Sequence, residues 1–235
     1  MIMEKHQLSK STYIRSLQCL KSLFLYKYHY KLRDPVPAEL QVRFEKGHNI
    51  GKLAQQLFPG GIEVISDKTY DYAQKVALTR ELILKGYETI YEAAFQVDRV
   101  LAIADILVKR AGKWFAYEVK SSIMISETYL KDAALQYSVI INSGLQLEDF
   151  SIIYLNQKLD DALVNDPLKI FAEKSVLDYC TSQIDFVKNN ISSAKLMLDK
   201  KIIPSIETGD HCEKPYRCDF YNFCHRTEPE AGKLF

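Results

Sequence analysis

Apolar positions along the chain change their period several times, and the changes mark out helical, strand-like and irregular stretches. Ser9 and Ser11 are candidate caps for a first helix reaching to about Tyr30, and Pro35 and Pro37 break the chain before a second. In that second helix Ile50, Leu53, Ala54 and Leu57 recur at helical spacing, and the stripe ends at Phe58-Pro59-Gly60-Gly61. A third helix is predicted over 70–85, stopped by Gly86. From Thr89 to Lys120 the residues turn β-branched and aromatic, with breaks at Gln96-Val97-Asp98 and Arg110-Ala111-Gly112-Lys113, which predicts a three-stranded antiparallel meander. A helix over 126–143 follows, with Leu130, Ala133, Ala134, Tyr137 and Ile141 on its buried stripe and Gly144 as its stop. The apolar run 150–155 suits a buried strand, parallel to its neighbour after that crossover. Residues 178–200 read as helix, and Pro204 opens an irregular tail. This order predicts an α/β sandwich on a small mixed sheet, with one domain over 1–203 and a cysteine-rich tail over 204–235.

Composition adds less. Of 235 residues 47% are apolar, enough to bury a core, and 31 basic against 30 acidic side chains select no partner by overall charge. The distribution is more informative: Lys5, Lys10, Arg15, Lys21, Lys27, Lys31 and Arg33 face only Glu4 in the first 33 residues, with Tyr13, Tyr26, Tyr28 and Tyr30 between them. Such a stretch either tracks a phosphate backbone or is a solvated helix face. No apolar run approaches the roughly 18 residues of a membrane span and no signal-peptide pattern opens the chain, so a cytoplasmic protein is expected. Five cysteines, an odd number, then argue for metal ligation over a disulfide framework.

The chemistry-bearing stretch is Ile103-Ala104-Asp105-Ile106-Leu107-Val108, a turn, and Trp114-Phe115-Ala116-Tyr117-Glu118-Val119-Lys120. A turn centred between Ala111 and Gly112 places Asp105 opposite Glu118. Alternation along the strand puts Glu118 and Lys120 on one face and Phe115, Tyr117 and Val119 on the other. Opposed like charges are unfavourable unless neutralised, and a divalent cation with oxygen ligands would do so. Lys120 would then orient an attacking water or hold a phosphate oxygen. The competing reading is a solvated strand edge with Asp105 in an ion pair.

Asp105 with Glu118-Val119-Lys120-Ser121-Ser122 resembles the motif of PD-(D/E)XK nucleases, Ala104 standing where the nominal proline would be. Leu8-Ser9-Lys10-Ser11, Leu17-Gln18-Cys19, Tyr91-Glu92-Ala93-Ala94 and Asp132-Ala133-Ala134-Leu135-Gln136-Tyr137 look like the RecB-type branch, which includes the iron-sulfur nuclease of CRISPR adaptation. The resemblance implies a restriction-endonuclease-like core. Its implied activity is that of a divalent-metal-dependent deoxyribonuclease, an exonuclease on single-stranded DNA or DNA ends using Mg2+ or Mn2+. A protein partner in DNA processing or CRISPR adaptation is implied as well. The resemblance makes Asp105, Glu118 and the Val119 carbonyl metal ligands, Lys120 the catalytic lysine, and Gln136 a residue that positions substrate or that lysine. Ile140 stands where the family has a tyrosine. Glu92 matches a supporting acid. His48, after Gly47, is either a further metal ligand or a surface histidine. The rival to the enzyme is a non-cleaving module that binds DNA or a partner on the same fold.

Cys212, Cys218 and Cys224 are evenly spaced without the two-residue gap of a zinc knuckle, and three such cysteines need a fourth ligand. The family resemblance supplies Cys19, and with it a [4Fe-4S] cluster that packs the tail against the N-terminal helix. Zinc, with His211 or His225 as substitute ligands, and unrelated buried thiols are the alternatives. Cys180 reads as a small core residue.

Overall fold

The computed structural model describes residues 6–35, 49–68, 70–156 and 167–226. In chain order, β1 (Leu8–Ser9) runs into α1 (Lys10–Gln18) and α2 (Leu20–Tyr28). β2 (Ile62–Glu63) and α3 (Tyr72–Leu84) precede the meander of β3 (Thr89–Val97), β4 (Val100–Arg110) and β5 (Lys113–Lys120). Then come α4 (Glu127–Asn142), β6 (Leu147–Leu155), α5 (Pro167–Ile170), β7 (Phe171–Ser175), α6 (Leu177–Ser182), α7 (Ile184–Lys200) and the single turn α8 (Tyr221–Cys224).

The meander forms as its sequence predicts. Asp98 and Arg99 in the first turn, and Ala111 and Gly112 in the second, all take positive φ, the backbone that matches a two-residue hairpin turn to strand twist. The β4–β5 register runs from Arg110↔Lys113 to Ile106↔Tyr117, so the predicted centring is correct. α4 begins at Ser126, whose hydroxyl accepts from the Tyr129 N–H, and ends before Gly144, at φ +97. β6 returns parallel to β5, as expected of a strand after a helical crossover. The short strands escape the sequence reading: β1 pairs parallel with β4, β2 parallel with β3, and β7 antiparallel with β6. Among the described residues the result is a mixed sheet of seven strands in the order β2-β3-β4-β5-β6-β7, with β1 on β4.

Helices cover both faces. On one, Leu23 and Phe24 of α2, Leu82 of α3, Ala133 to Leu135 of α4 and Leu198 of α7 pack on Ile90, Ala104, Leu107, Ala116 and Phe150. On the other, Ala54 and Phe58 pack on Ile106, Tyr117 and Ile153, so the predicted stripe of the second helix is a core stripe. Residues 49–54 are helical and Gln55–Leu57 form a 3-10 turn; what precedes lies outside the described residues.

Two predicted helices are each divided. The first breaks at Cys19, which is fully extended at φ −165, ψ 120, and closes at Tyr28. The last breaks at Gln183, φ −98, ψ 2. At Cys19 the break has a visible cause, since the residues around it are turned toward the C-terminal tail. The Gln18 side-chain amide donates to the carbonyls of His211 (2.9 Å), Lys214 (3.3 Å) and Tyr216 (2.7 Å). Arg15 and Arg33 converge on Asp219 Oδ2 at 2.6 and 3.0 Å, and Phe220 is fully buried beside Leu25. The tail therefore has an apolar anchor and a polar clasp of its own. Arg15 and Arg33, read from sequence as part of a possible phosphate-tracking face, serve this clasp.

Asp219→Ala should leave Arg15 and Arg33 without their shared anion. The expected cost, discounted because all three groups keep some solvent exposure, is about 1–2 kcal/mol in urea unfolding, with first proteolytic cleavage moving into the tail. Unchanged stability and an equally resistant tail would show that the clasp contributes nothing.

Candidate functional site

The site lies where β5 and β1 meet. β3 occupies one edge of β4, and the opposite edge pairs with β5 at Ile106 to Arg110 and with β1 at Val100 and Leu101. β5 and β1 thus share one lane and run head to head, so Lys120 at the end of β5 and Lys10 just after β1 face each other. α4 covers the junction with Asp132 and Gln136, one helical turn apart.

Glu118 is the hub. Its side chain is 1% exposed. Oε1 accepts from Lys10 Nζ at 2.7 Å and Lys120 Nζ at 2.5 Å, and Oε2 accepts from Gln136 Nε2 at 2.7 Å. Burial opposes its charge, but the two ammonium groups outweigh that and hold its pKa down at about 2. Asp132 Oδ2 takes Lys120 at 2.6 Å, and its Oδ1 takes Gln136 at 3.2 Å. The Tyr129 ring lies 5.0 Å from the Lys120 ammonium. Burial works against protonation of Lys120 and Lys10, yet the carboxylates around them raise both above the usual lysine range.

Asp105 sits at an irregularity. Ala102, Ala104 and Leu107 all face the α4 side of the sheet while Ile106 and Val108 face the other, so the alternation changes phase at Asp105. It does so also at Glu92, φ +56, between Ile90 and Ala93 on β3. The β4–β5 ladder stops at Ile106↔Tyr117, and beyond it the Asp105 carboxylate itself accepts the Val119 N–H at 2.6 Å. Burial, and next the charge of Glu118, push the Asp105 pKa up to about 8. Glu92 is raised too, by burial first, with Glu118 and Glu63 adding to it against Lys75 and Lys10.

The structure thus brings Asp105, Glu118, Lys120 and Gln136 together, and puts Tyr117 on the opposite face against Phe58. Gln136 bonds to Glu118 and Asp132 rather than to the lysine. Val119 takes part through its N–H. His48 lies outside the described residues. The sequence reading missed roles for Lys10 and Asp132; both stood inside recognised motifs, but only the head-to-head strands and the helix crossing show that they converge on Glu118.

A hard cation fits the donor set. Asp105 and Glu118 offer carboxylate oxygens, Asp105 resists ionisation without a compensating positive charge, and Gln136 Oε1 is a fully buried acceptor without a hydrogen-bond partner. As the side chains stand, no three His, Cys, Asp or Glu among the described residues converge at metal-binding distances.

The cysteines among the described residues do not converge at such distances either. Cys19, Cys212, Cys218 and Cys224 nonetheless line a single small cavity, together with His211, of about 20 Å³, partly open to solvent. Burial raises the Cys19 and Cys224 thiols; Cys218 and Cys212 raise Cys19 further, and Cys218, Cys19 and Cys212 raise Cys224. Four soft sulfur donors around one space suit thiolate-ligated iron or zinc. His225 lies elsewhere, stacked on Tyr221 at 3.8 Å, and Cys180 is fully buried in the main core.

No protein-family model and no curated protein matches this sequence. Among solved structures, that of SSO0001 is similar at 15% identity over 84% of this chain and 79% of that one, with a TM-score of 0.33. Among the described residues no helix is long and apolar enough to cross a membrane.

In protein stripped of divalent cations, the site should imprint itself on the pH dependence of stability. Asp105 has a folded pKa of about 8 against an ordinary 3.8, so the unfolded chain gives up that proton first and its contribution to stability is lost as pH rises from about 4 to about 8. Glu118 acts in the opposite sense, its contribution being lost as pH falls from about 4.5 to about 2. Asp105→Asn keeps an acceptor for Val119 but removes the titration. Thermal melts in chelator should show the variant equal to the parent near pH 4 and more stable near pH 8; parallel curves would contradict the assignment.

Proposed function

We propose that this chain is a divalent-metal-dependent deoxyribonuclease of the PD-(D/E)XK type, acting on single-stranded DNA or DNA ends, and that its mixed sheet is a restriction-endonuclease-like core. One observation carries the reading: Asp105 and Glu118 come from adjacent strands of one meander into a shared buried space, with the Lys120 ammonium 2.5 Å from Glu118. A buried acid pair beside an oriented lysine is poor structural economy, because each desolvated charge costs free energy, but it suits phosphodiester hydrolysis.

The chain's own groups divide the work. Asp105 and Glu118 present oxygens to Mg2+ or Mn2+. An ion held there would supply water activation and stabilisation of the charge that develops on the phosphoryl group. Asp132 fixes Lys120 by a 2.6 Å bond, so that its ammonium is held for a phosphate oxygen or the attacking water. Gln136 locks the Glu118 rotamer through Oε2. The four cysteines would hold a [4Fe-4S] cluster, with zinc the alternative, stapling a tail that protein contacts already dock.

A second reading, a module that binds DNA or a partner without cutting it, has an observation in its favour: both Glu118 oxygens are already engaged by protein donors. Activity separates the two. Purified protein should degrade labelled single-stranded DNA with Mn2+ and not with chelator, and Glu118→Ala or Lys120→Ala should each lower the rate by about 100-fold or more. Binding without Mn2+-dependent cleavage would select the module, and cleavage that survives both substitutions would move the catalytic site elsewhere.

The cysteine assignment has its own check. Protein isolated without oxygen should be brown and contain iron and sulfide in comparable amounts, and Cys19→Ala should lose the colour. Colourless protein with stoichiometric zinc would replace the cluster by zinc, and protein with neither would remove the metal from the cavity.

A further inference from the structure

Glu118 is already neutralised before any cation arrives. Oε1 holds two ammonium groups, Lys10 at 2.7 Å and Lys120 at 2.5 Å, which uses both of its lone-pair directions. Oε2 holds the Gln136 amide. A divalent ion brought to this carboxylate meets two positive charges already in place, and like charges at such range repel strongly in a poorly solvated site. Oε2 keeps one lone-pair direction free for an ion, and withdrawal of one ammonium group among the three donors relieves the repulsion.

The three are not equally free to move. Gln136 is completely buried and tied to Asp132 as well. Lys120 is 13% exposed, bonded to Asp132 at 2.6 Å, and faces the Tyr129 ring. Lys10 is 37% exposed, and its second carboxylate, Asp132, is 3.8 Å away, beyond hydrogen-bond range. Its backbone position adds nothing to hold the charge: Lys10 is the first residue of α1, whose first turn contains no acid, and a helix start disfavours a cation. Among the described residues, the buried carboxylates alone hold the Lys10 ammonium where it is.

We propose that Lys10 is an exchangeable counter-ion, resting on the reading of this site as a divalent-cation site. Its ammonium neutralises Glu118 while no divalent ion is bound and swings to the solvent side when one binds, so Lys10 sets how tightly the site holds the ion. Lys120 stays in place throughout, held by Asp132. Lys10 is on this account a positioning residue, acting through Glu118.

The test reads ion binding and needs no turnover. Chelator-stripped full-length protein is titrated with Mn2+ by calorimetry, as the parent and as the variants Lys10→Met, Lys10→Arg and Lys75→Met. Lys10→Met should bind Mn2+ about tenfold tighter or more, equivalent to about 1.4 kcal/mol of competition removed. Lys10→Arg keeps the charge and should stay within about threefold of the parent. Lys75→Met removes a charge that acts on Glu92, whereas the leading charges on Glu118 are Lys10 and Lys120, and it should also stay within about threefold, because screened charges at longer range matter little. If Lys10→Met fails to give a native circular-dichroism spectrum, Lys10→Gln takes its place with the same expected direction. Unchanged affinity in the Lys10 variant, or equal tightening in Lys75→Met, overturns the exchange. A parent and variants that all fail to bind Mn2+ overturn the divalent-cation reading itself, a distinct result.

Discussion

A carboxylate buried to 1% exposure between a sheet and a helix has to be neutralised, and the arrangement around Glu118 follows from that requirement. Two lysines and one amide do so, each delivered by a different element: Lys10 by the start of α1, Lys120 by the end of β5, Gln136 by the middle of α4. Removing any of them leaves a charge or an acceptor uncompensated in the core. The pairing of the two-residue strand β1 with β4 brings the N-terminal helix to the acid. Asp105 is the part of the site that protein groups do not neutralise fully, and its raised pKa marks where an added positive charge would be most favourable.

Much of the fold was legible in the sequence because its signals are local. The meander announces itself by β-branched runs and by its second break, at Arg110-Ala111-Gly112-Lys113, from which its register follows; the first turn, at Asp98-Arg99, lies just past the break read at Gln96-Val97-Asp98, whose first two residues belong to β3. α4 carries both its cap and its stop. The strands β1, β2 and β7 carry no such signals. They are two to five residues long, too short for periodicity to register, and they exist because a neighbour offers an open edge. The break at Cys19 is of the same kind: nothing in Leu17-Gln18-Cys19-Leu20 opposes a continuous helix, and contacts some two hundred residues away in sequence impose it.

The candidate site divides along the same line. Asp105, Glu118 and Lys120 lie on one hairpin, so strand alternation suffices to group them. Lys10 and Asp132 reach the site through long-range packing, and no reading of spacing within one element could assign them. The phase change at Glu92 and Asp105 also escaped, because alternation read from sequence assumes an unbroken pleat. At the other pole, the four cysteines share a cavity whose walls are assembled from both ends of the chain, while the tail is already fastened by Gln18, Arg15, Arg33 and Phe220. A metal there would reinforce a docked segment rather than create one.

If Asp105 and Glu118 share a divalent cation, as proposed, crystals soaked in Mn2+ will reveal it by anomalous diffraction. The account requires an anomalous peak about 2.0–2.3 Å from a carboxylate oxygen of each residue, at the distances hard cations take, with Lys120 still on Asp132. A map with no peak there at saturating Mn2+, both lysines still bonded to Glu118, would contradict it.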